Sequence, residues 1–120
     1  MVGSPQIVTF SRFTQVSRET IDSLTKYEEI LKIWNKDLNL VGKSTIKDIW
    51  NRHFLDSFQV IDFIEKNSNS AIDLGSGAGF PGLIVSIAAK ERKYPLKVRL
   101  IEKSTKKSKF LNEIIQKLEL

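Results

Sequence analysis

The chain has 120 residues, which is room for one small domain. Its residues are 41% apolar and 28% charged, the balance of a soluble globular protein rather than a disordered one. The formal net charge of +5 suits a polyanionic partner, and the absence of cysteine excludes disulfide staples, thiolate zinc sites and cysteine nucleophiles. A lone histidine without cysteines makes no ligand set, so no metal is expected. No apolar run approaches the roughly 20 residues of a spanning helix, so no membrane role is expected. Met1 to Pro5 lacks both the basic start and the apolar stretch of a secretory signal, which points to a cytoplasmic location.

Residues 1–16 are polar, contain a proline and show no sustained period, which predicts a loose tail. A helical pattern begins at Ser17, a suitable N-cap, with Glu19 in the first turn where the helix dipole favours an acid. Ile21, Leu24, Tyr27, Leu31, Trp34 and Leu38 then recur at three- and four-residue steps, marking one helix face. Asn39 to Gly42 interrupts it. The spacing predicts a second helix from Ser44 or Thr45, with Ile46, Ile49, Trp50, Phe54, Phe58, Ile61 and Ile64 as its stripe. Trp34 and Trp50 lie on these stripes and read as core residues rather than base-stacking platforms. The polar cluster Lys66 to Ser70 ends the helical region, 17–66.

From there to residue 120 the pattern is α/β. Ala71-Ile72-Asp73-Leu74 is a short apolar strand that runs into a glycine-rich turn. Pro81 marks the start of a helix over Leu83 to Lys90, and Tyr94-Pro95 breaks it. Lys97 to Glu102 alternates like a strand, and Ser104 can cap a last helix that buries Phe110, Leu111, Ile114, Ile115 and Leu118. Strand, helix and strand in this order imply a parallel βαβ unit.

The stretch from Asp73 to Gly82 reads Asp-Leu-Gly-Ser-Gly-Ala-Gly-Phe-Pro-Gly and carries the most information. Glycines at Gly75, Gly77 and Gly79 let the backbone turn sharply and approach a ligand closely. The following helix aims its free N–H groups at the same crevice, at the carboxyl end of the strand. Glu102, 23 positions after Gly79, ends the second strand where a carboxylate would take hydrogen bonds from ribose hydroxyls. Two nucleotide-like ligands satisfy this pattern. Gly77 to Gly82 matches the dinucleotide fingerprint G-x-G-x-x-G. Asp73, two residues before the first glycine, instead gives the D-x-G-x-G-x-G arrangement familiar in methyltransferases, with the acid near the cofactor's amino-acid end. The bulky Phe80 and the following Pro81 hinder a pyrophosphate, whereas Phe80 can cover an adenine or methionine portion. The balance favours S-adenosylmethionine, and Asp73, Gly75, Ser76, Gly77, Gly79, Phe80 and Glu102 are the candidate cofactor-binding residues. No catalytic side chain stands out.

Several pieces together resemble one family, the bacterial 16S rRNA guanine-N7 methyltransferases of the glucose-inhibited division protein B type. They are Trp34-Asn35 with Asn39-Leu40, then Arg52-His53 with Leu55-Asp56-Ser57, then the stretch Asp73 to Gly82, and finally Glu102 with Lys106-Lys107 and Phe110-Leu111. The resemblance runs from about Tyr27 to Leu120. It implies a Rossmann-like class I methyltransferase fold, of which residues 67–120 would be the first βαβα part, with the carboxyl half missing. It also implies methyl transfer from S-adenosylmethionine to N7 of a guanine in 16S rRNA, within the small ribosomal subunit, with Gly75 and Phe80 lining the cofactor. Guanine N7 has a free lone pair and no proton to lose, so holding it in line with the methyl carbon suffices and no general base is required. The alternatives are a fragment of a nicotinamide-dinucleotide-binding oxidoreductase and a non-catalytic RNA-binding remnant.

Two further groups attract notice. Arg52 with Asp56, and His53 with Ser57, are i,i+4 pairs that can meet on one face of the second helix. They would either position cofactor or guanine beside the glycine turn or, as an ion pair and a hydrogen-bonded histidine, fix the helical region to the sheet. Lys103, Lys106, Lys107 and Lys109 form a basic run that could meet RNA phosphates or simply be a solvated face. Cations in a first helical turn oppose the dipole, which argues for a reason beyond stability.

Overall fold

The computed structural model describes residues 4–120. Three helices begin at serines whose hydroxyls accept a backbone N–H from the first turn: Ser4 from Ile7, Ser17 from Thr20 and Ser104 from Lys107. They start α1 (Pro5–Thr14), α2 (Arg18–Asn35) and the last helix, Thr105–Lys117. Ser17 and Ser104 therefore act as the sequence predicts. Ser4 caps a helix where a loose tail was expected.

That helix is a correction to the reading of residues 1–16, of which residues 1–3 lie outside the described residues. α1 is held by a single large anchor. Phe10 is fully buried and meets Trp50 and Phe58 edge-on, at centroid distances of 5.4 and 5.6 Å. Gln6 adds two polar ties, donating to the Lys47 carbonyl at 2.8 Å and accepting from the Trp50 N–H at 3.3 Å. A single buried aromatic creates no visible period, and the local mark of this helix is Ser4 as N-cap followed by Pro5 in the first turn.

The second helical stretch is broken where continuity was expected. α3 (Lys43–Ile46) is one turn, and a π-helical turn spans Trp50–Leu55. It leads through α4 (Asp56–Phe58) into a 3-10 turn, Gln59–Phe63. The apolar residues still point inward: Ile49, Trp50, Phe54, Phe58 and Ile61 are all buried. Asn35 organises the loop before this region, its carboxamide oxygen accepting from the Leu40 and Val41 N–H groups at 2.8 and 3.0 Å.

β1 (Ser70–Leu74) and β2 (Lys97–Ile101) pair in parallel, joined by α5 (Gly82–Glu91), and α6 (Thr105–Lys117) follows. This is the predicted βαβ order. Asp73 lies opposite Leu100 and Leu74 opposite Ile101 in the register. The face bearing Ala71, Val98 and Leu100 joins the core. The opposite face leaves Ile72, Leu74 and Ile101 exposed. α5 is buried almost all round, and its end is tied to the start of α2: Glu91 Oε1 accepts from the Ser17 N–H and hydroxyl, both at 2.8 Å, and from the Thr20 hydroxyl at 2.6 Å. Among the described residues no helix is long and apolar enough to cross a membrane.

Replacing Phe10 by Ala is expected to cost about 3 kcal/mol or more in urea unfolding. Phe13→Ala on the same helix, where the ring is 71% exposed, is expected to stay within about 0.5 kcal/mol of the parent. Equal, small effects would mean that α1 does not dock.

Candidate functional site

Where β1 ends, the chain turns over the end of β2. The N–H groups of Gly75 and Ser76 both point to the Ile101 carbonyl, at 2.7 and 3.3 Å, so the bend continues the strand pairing. Gly75 has φ +69° and a Cβ placed there would meet nothing within 4 Å. The glycine is thus required by conformation alone, and the space beside it is open for a ligand. Gly79 has φ +93°, and a Cβ there would collide with the Tyr27 hydroxyl and with Leu83. Gly82 opens α5 so close to the sheet that a Cβ would lie 2.5 Å from both Asp73 Oδ2 and Leu100.

Glu102 reaches this bend. Its Oε1 accepts from the Gly77 N–H at 2.8 Å and its Oε2 from the Ser104 N–H at 2.9 Å. The carboxyl is held below the ordinary glutamate value by the Ser104 N–H first, then by the Gly77 N–H, with Lys107 nearby. Asp73 accepts the Gly82 N–H on Oδ2 at 2.9 Å, so one of its oxygens anchors the first turn of α5. Ser76 is buried, and its hydroxyl donates inward to the Asp73 carbonyl at 3.3 Å. Of the seven candidates, Gly75, Gly77 and Glu102 meet at the bend, and Asp73 faces the first turn of α5. Gly79 and Ser76 form its underside.

Phe80 borders the bend, and its ring has aromatic neighbours of its own. It is half-buried and packs into the aromatic cluster of Tyr27, His53 and Phe54. Tyr27 itself was legible only as part of an apolar stripe. It is fully buried and donates its hydroxyl to the Ala78 carbonyl. Burial, and next the Asp73 charge, push its phenol well above the ordinary tyrosine value, so it stays a donor. A tyrosine in an otherwise apolar stripe is the available signal, because a buried phenol needs a polar partner.

The expected i,i+4 pairs do not form. The π turn bonds five residues apart and displaces side chains from α-helical spacing. Arg52 and Asp56 make no ion pair within 4.0 Å, since the ion pairs among the described residues are Lys32–Glu28 and Arg92–Asp62. His53 Nε2 is buried without a hydrogen-bond partner. The histidine nevertheless stands beside the glycine turn, its ring stacked on Phe80 at 4.8 Å. Burial foremost, and then Arg52, lower its pKa from the usual 6.5, with Asp56 opposing. Lys103, Lys106 and Lys109 are exposed and Lys107 half-exposed at the start of α6, just beyond Glu102 and without an acidic partner within 4.0 Å among the described residues.

The chain matches the family model described as rRNA small subunit methyltransferase G over residues 20–120. It is 42% identical over 115 residues to the ribosomal RNA small subunit methyltransferase G of Parvibaculum lavamentivorans, covering 93% of this chain and 50% of that protein. The protein of the same name from Rhodospirillum centenum is 46% identical over 99 residues, covering 82% of this chain and 44% of the relative. That of Paramagnetospirillum magneticum is 40% identical over 118 residues, with 98% and 54% covered. The chain thus spans about half the length of the curated relatives it matches.

A lowered folded-state pKa at Glu102 stabilises the protein above the unfolded glutamate value, and this contribution disappears as pH falls through the folded value. Glu102→Gln should therefore be less stable than the parent at pH 7. The gap should narrow in urea unfolding as pH falls below the ordinary glutamate value. A gap independent of pH would contradict the carboxylate's double engagement.

Proposed function

Because the chain belongs to the rRNA small subunit methyltransferase G family, we propose that it forms the cofactor-binding front of an S-adenosylmethionine-dependent enzyme of the class I methyltransferase fold, acting on N7 of a guanine in 16S rRNA. The observation that carries this reading is the bond from the Gly77 N–H to Glu102, which fixes an acid at the mouth of a glycine bend with open space beside Gly75. Glu102 keeps lone pairs to accept both ribose hydroxyls. The Gly75 backbone allows the nucleoside to approach. Asp73 Oδ1, the oxygen not bound to Gly82, is the one left to the ammonium of the amino-acid end. When bound, the sulfonium supplies an activated methyl group. The protein's task is then to hold nucleoside and base in line, and this step needs no general base. The half of the relatives' length that this chain does not span would complete the pocket.

For the RNA, the reading assigns Lys103, Lys106, Lys107 and Lys109 to backbone phosphates. They lie one step beyond Glu102 and place positive charge where the α6 dipole disfavours it.

The test is calorimetric titration with S-adenosylhomocysteine of this chain and of a form extended to the length of its relatives. The extended form is expected to bind, and Glu102→Ala to weaken binding at least about tenfold through loss of charged hydrogen bonds. Its affinity for a 16S rRNA fragment should fall with salt along a slope that shallows when the four lysines become Gln. Binding of NADH without S-adenosylhomocysteine would select the dinucleotide alternative; RNA binding without either would select a remnant.

A further inference from the structure

Positive-φ glycines have no side chains with which to fix themselves, so the stiffness of the bend must come from the residues between and beside them. Three attachments are visible. Glu102 holds the Gly77 N–H, and the Tyr27 hydroxyl holds the Ala78 carbonyl. The third is the Phe80 ring, next to Gly79. His53 lies on it at 4.8 Å with 7° between the planes, and Tyr27 at 5.7 Å and 13°. Phe54 meets it edge-on at 5.9 Å and 69°. His53 and Phe54, adjacent in the π turn, both reach this ring.

His53 Nε2 makes no hydrogen bond among the described residues. What the imidazole contributes at this place is its flat face against Phe80.

We propose that His53 is a positioning residue of the adenosyl berth, acting through Phe80: its ring fixes the Phe80 ring and thereby the path of the backbone from Gly77 to Gly79. The ligand part of this inference rests on the adenosyl reading above; the clamp on the backbone does not. Burial, and then Arg52, lower the pKa of His53 and so favour the neutral ring.

The experiment compares His53→Ala, which removes the stack, with His53→Phe, which restores a flat ring without nitrogens. Both are made in the chain extended to family length. The first readout needs no ligand: amide exchange at Gly79, whose N–H donates to the Ser76 carbonyl at 2.7 Å, measured against amides inside α6. The second is affinity for S-adenosylhomocysteine. His53→Ala should speed Gly79 exchange relative to α6 by about three- to tenfold and weaken the ligand by a similar factor. His53→Phe should bring both back to within about twofold of the parent. Should the alanine variant fail to fold, His53→Leu, which fills the space without a flat face, takes its place.

Unchanged Gly79 exchange in His53→Ala, or a His53→Phe variant as impaired as the alanine one, would overturn the clamp. Faster exchange with undiminished ligand affinity would overturn its link to the berth. A parent that binds no S-adenosylhomocysteine refutes the adenosyl reading, and the exchange readout still decides the clamp by itself.

Discussion

Tyr27 lies wholly buried on α2 with its hydroxyl donated to the Ala78 carbonyl, directly beneath Gly79. Much of the molecule converges on this contact. Gly79 has no room for a Cβ because Tyr27, Leu83 of α5 and Leu111 of α6 all press against it. Three helices, α2, α5 and α6, therefore meet on one glycine. The bend above them holds its left-handed conformations with its underside packed and the Ala78 carbonyl satisfied. The phenol's raised pKa means that this donor does not titrate away under ordinary conditions.

The same arrangement explains why an N-terminal helical region is joined to the strands at all. α2 is tied to α5 at one end by the Ser17–Glu91 and Thr20–Glu91 bonds and at the other to α6 through Trp34 and Phe110, 5.9 Å apart. Tyr27 stands between these attachments and carries the link to the bend. The glycine turn is thus braced from below by helices, from the side by Glu102 and along its exit by the aromatic stack on Phe80. Its mouth stays open. On the far side of the sheet Ile72, Leu74 and Ile101 remain exposed, in a chain about half as long as its curated relatives.

Much of this was legible from the residues. Ser17 and Ser104 announce their helices because a cap is a local interaction of a hydroxyl with a nearby N–H. The βαβ order and the approach of Glu102 to the bend follow from a short apolar run, a glycine cluster and an acid at the right distance. What escaped detection depends on contacts between distant segments. α1 is a helix because Phe10 finds Trp50 and Phe58, and Ser4 to Val16 carry no sign of that partner. The Arg52–Asp56 and His53–Ser57 pairs failed because i,i+4 reasoning assumes α geometry, and the π turn at Trp50–Leu55 has no local sequence mark. The contacts of the Phe80 ring with Tyr27, His53 and Phe54 likewise join distant segments and leave no local mark.

The dependence of the bend on one buried hydroxyl is tested most directly by Tyr27→Phe, which keeps the ring and deletes a single oxygen. With the Ala78 carbonyl left unpaired, urea unfolding should show a loss of about 1–3 kcal/mol. Amide exchange should quicken at Gly77 and Gly79 before it does in α1. A phenylalanine variant as stable as the parent, with the glycine amides equally protected, would contradict the account.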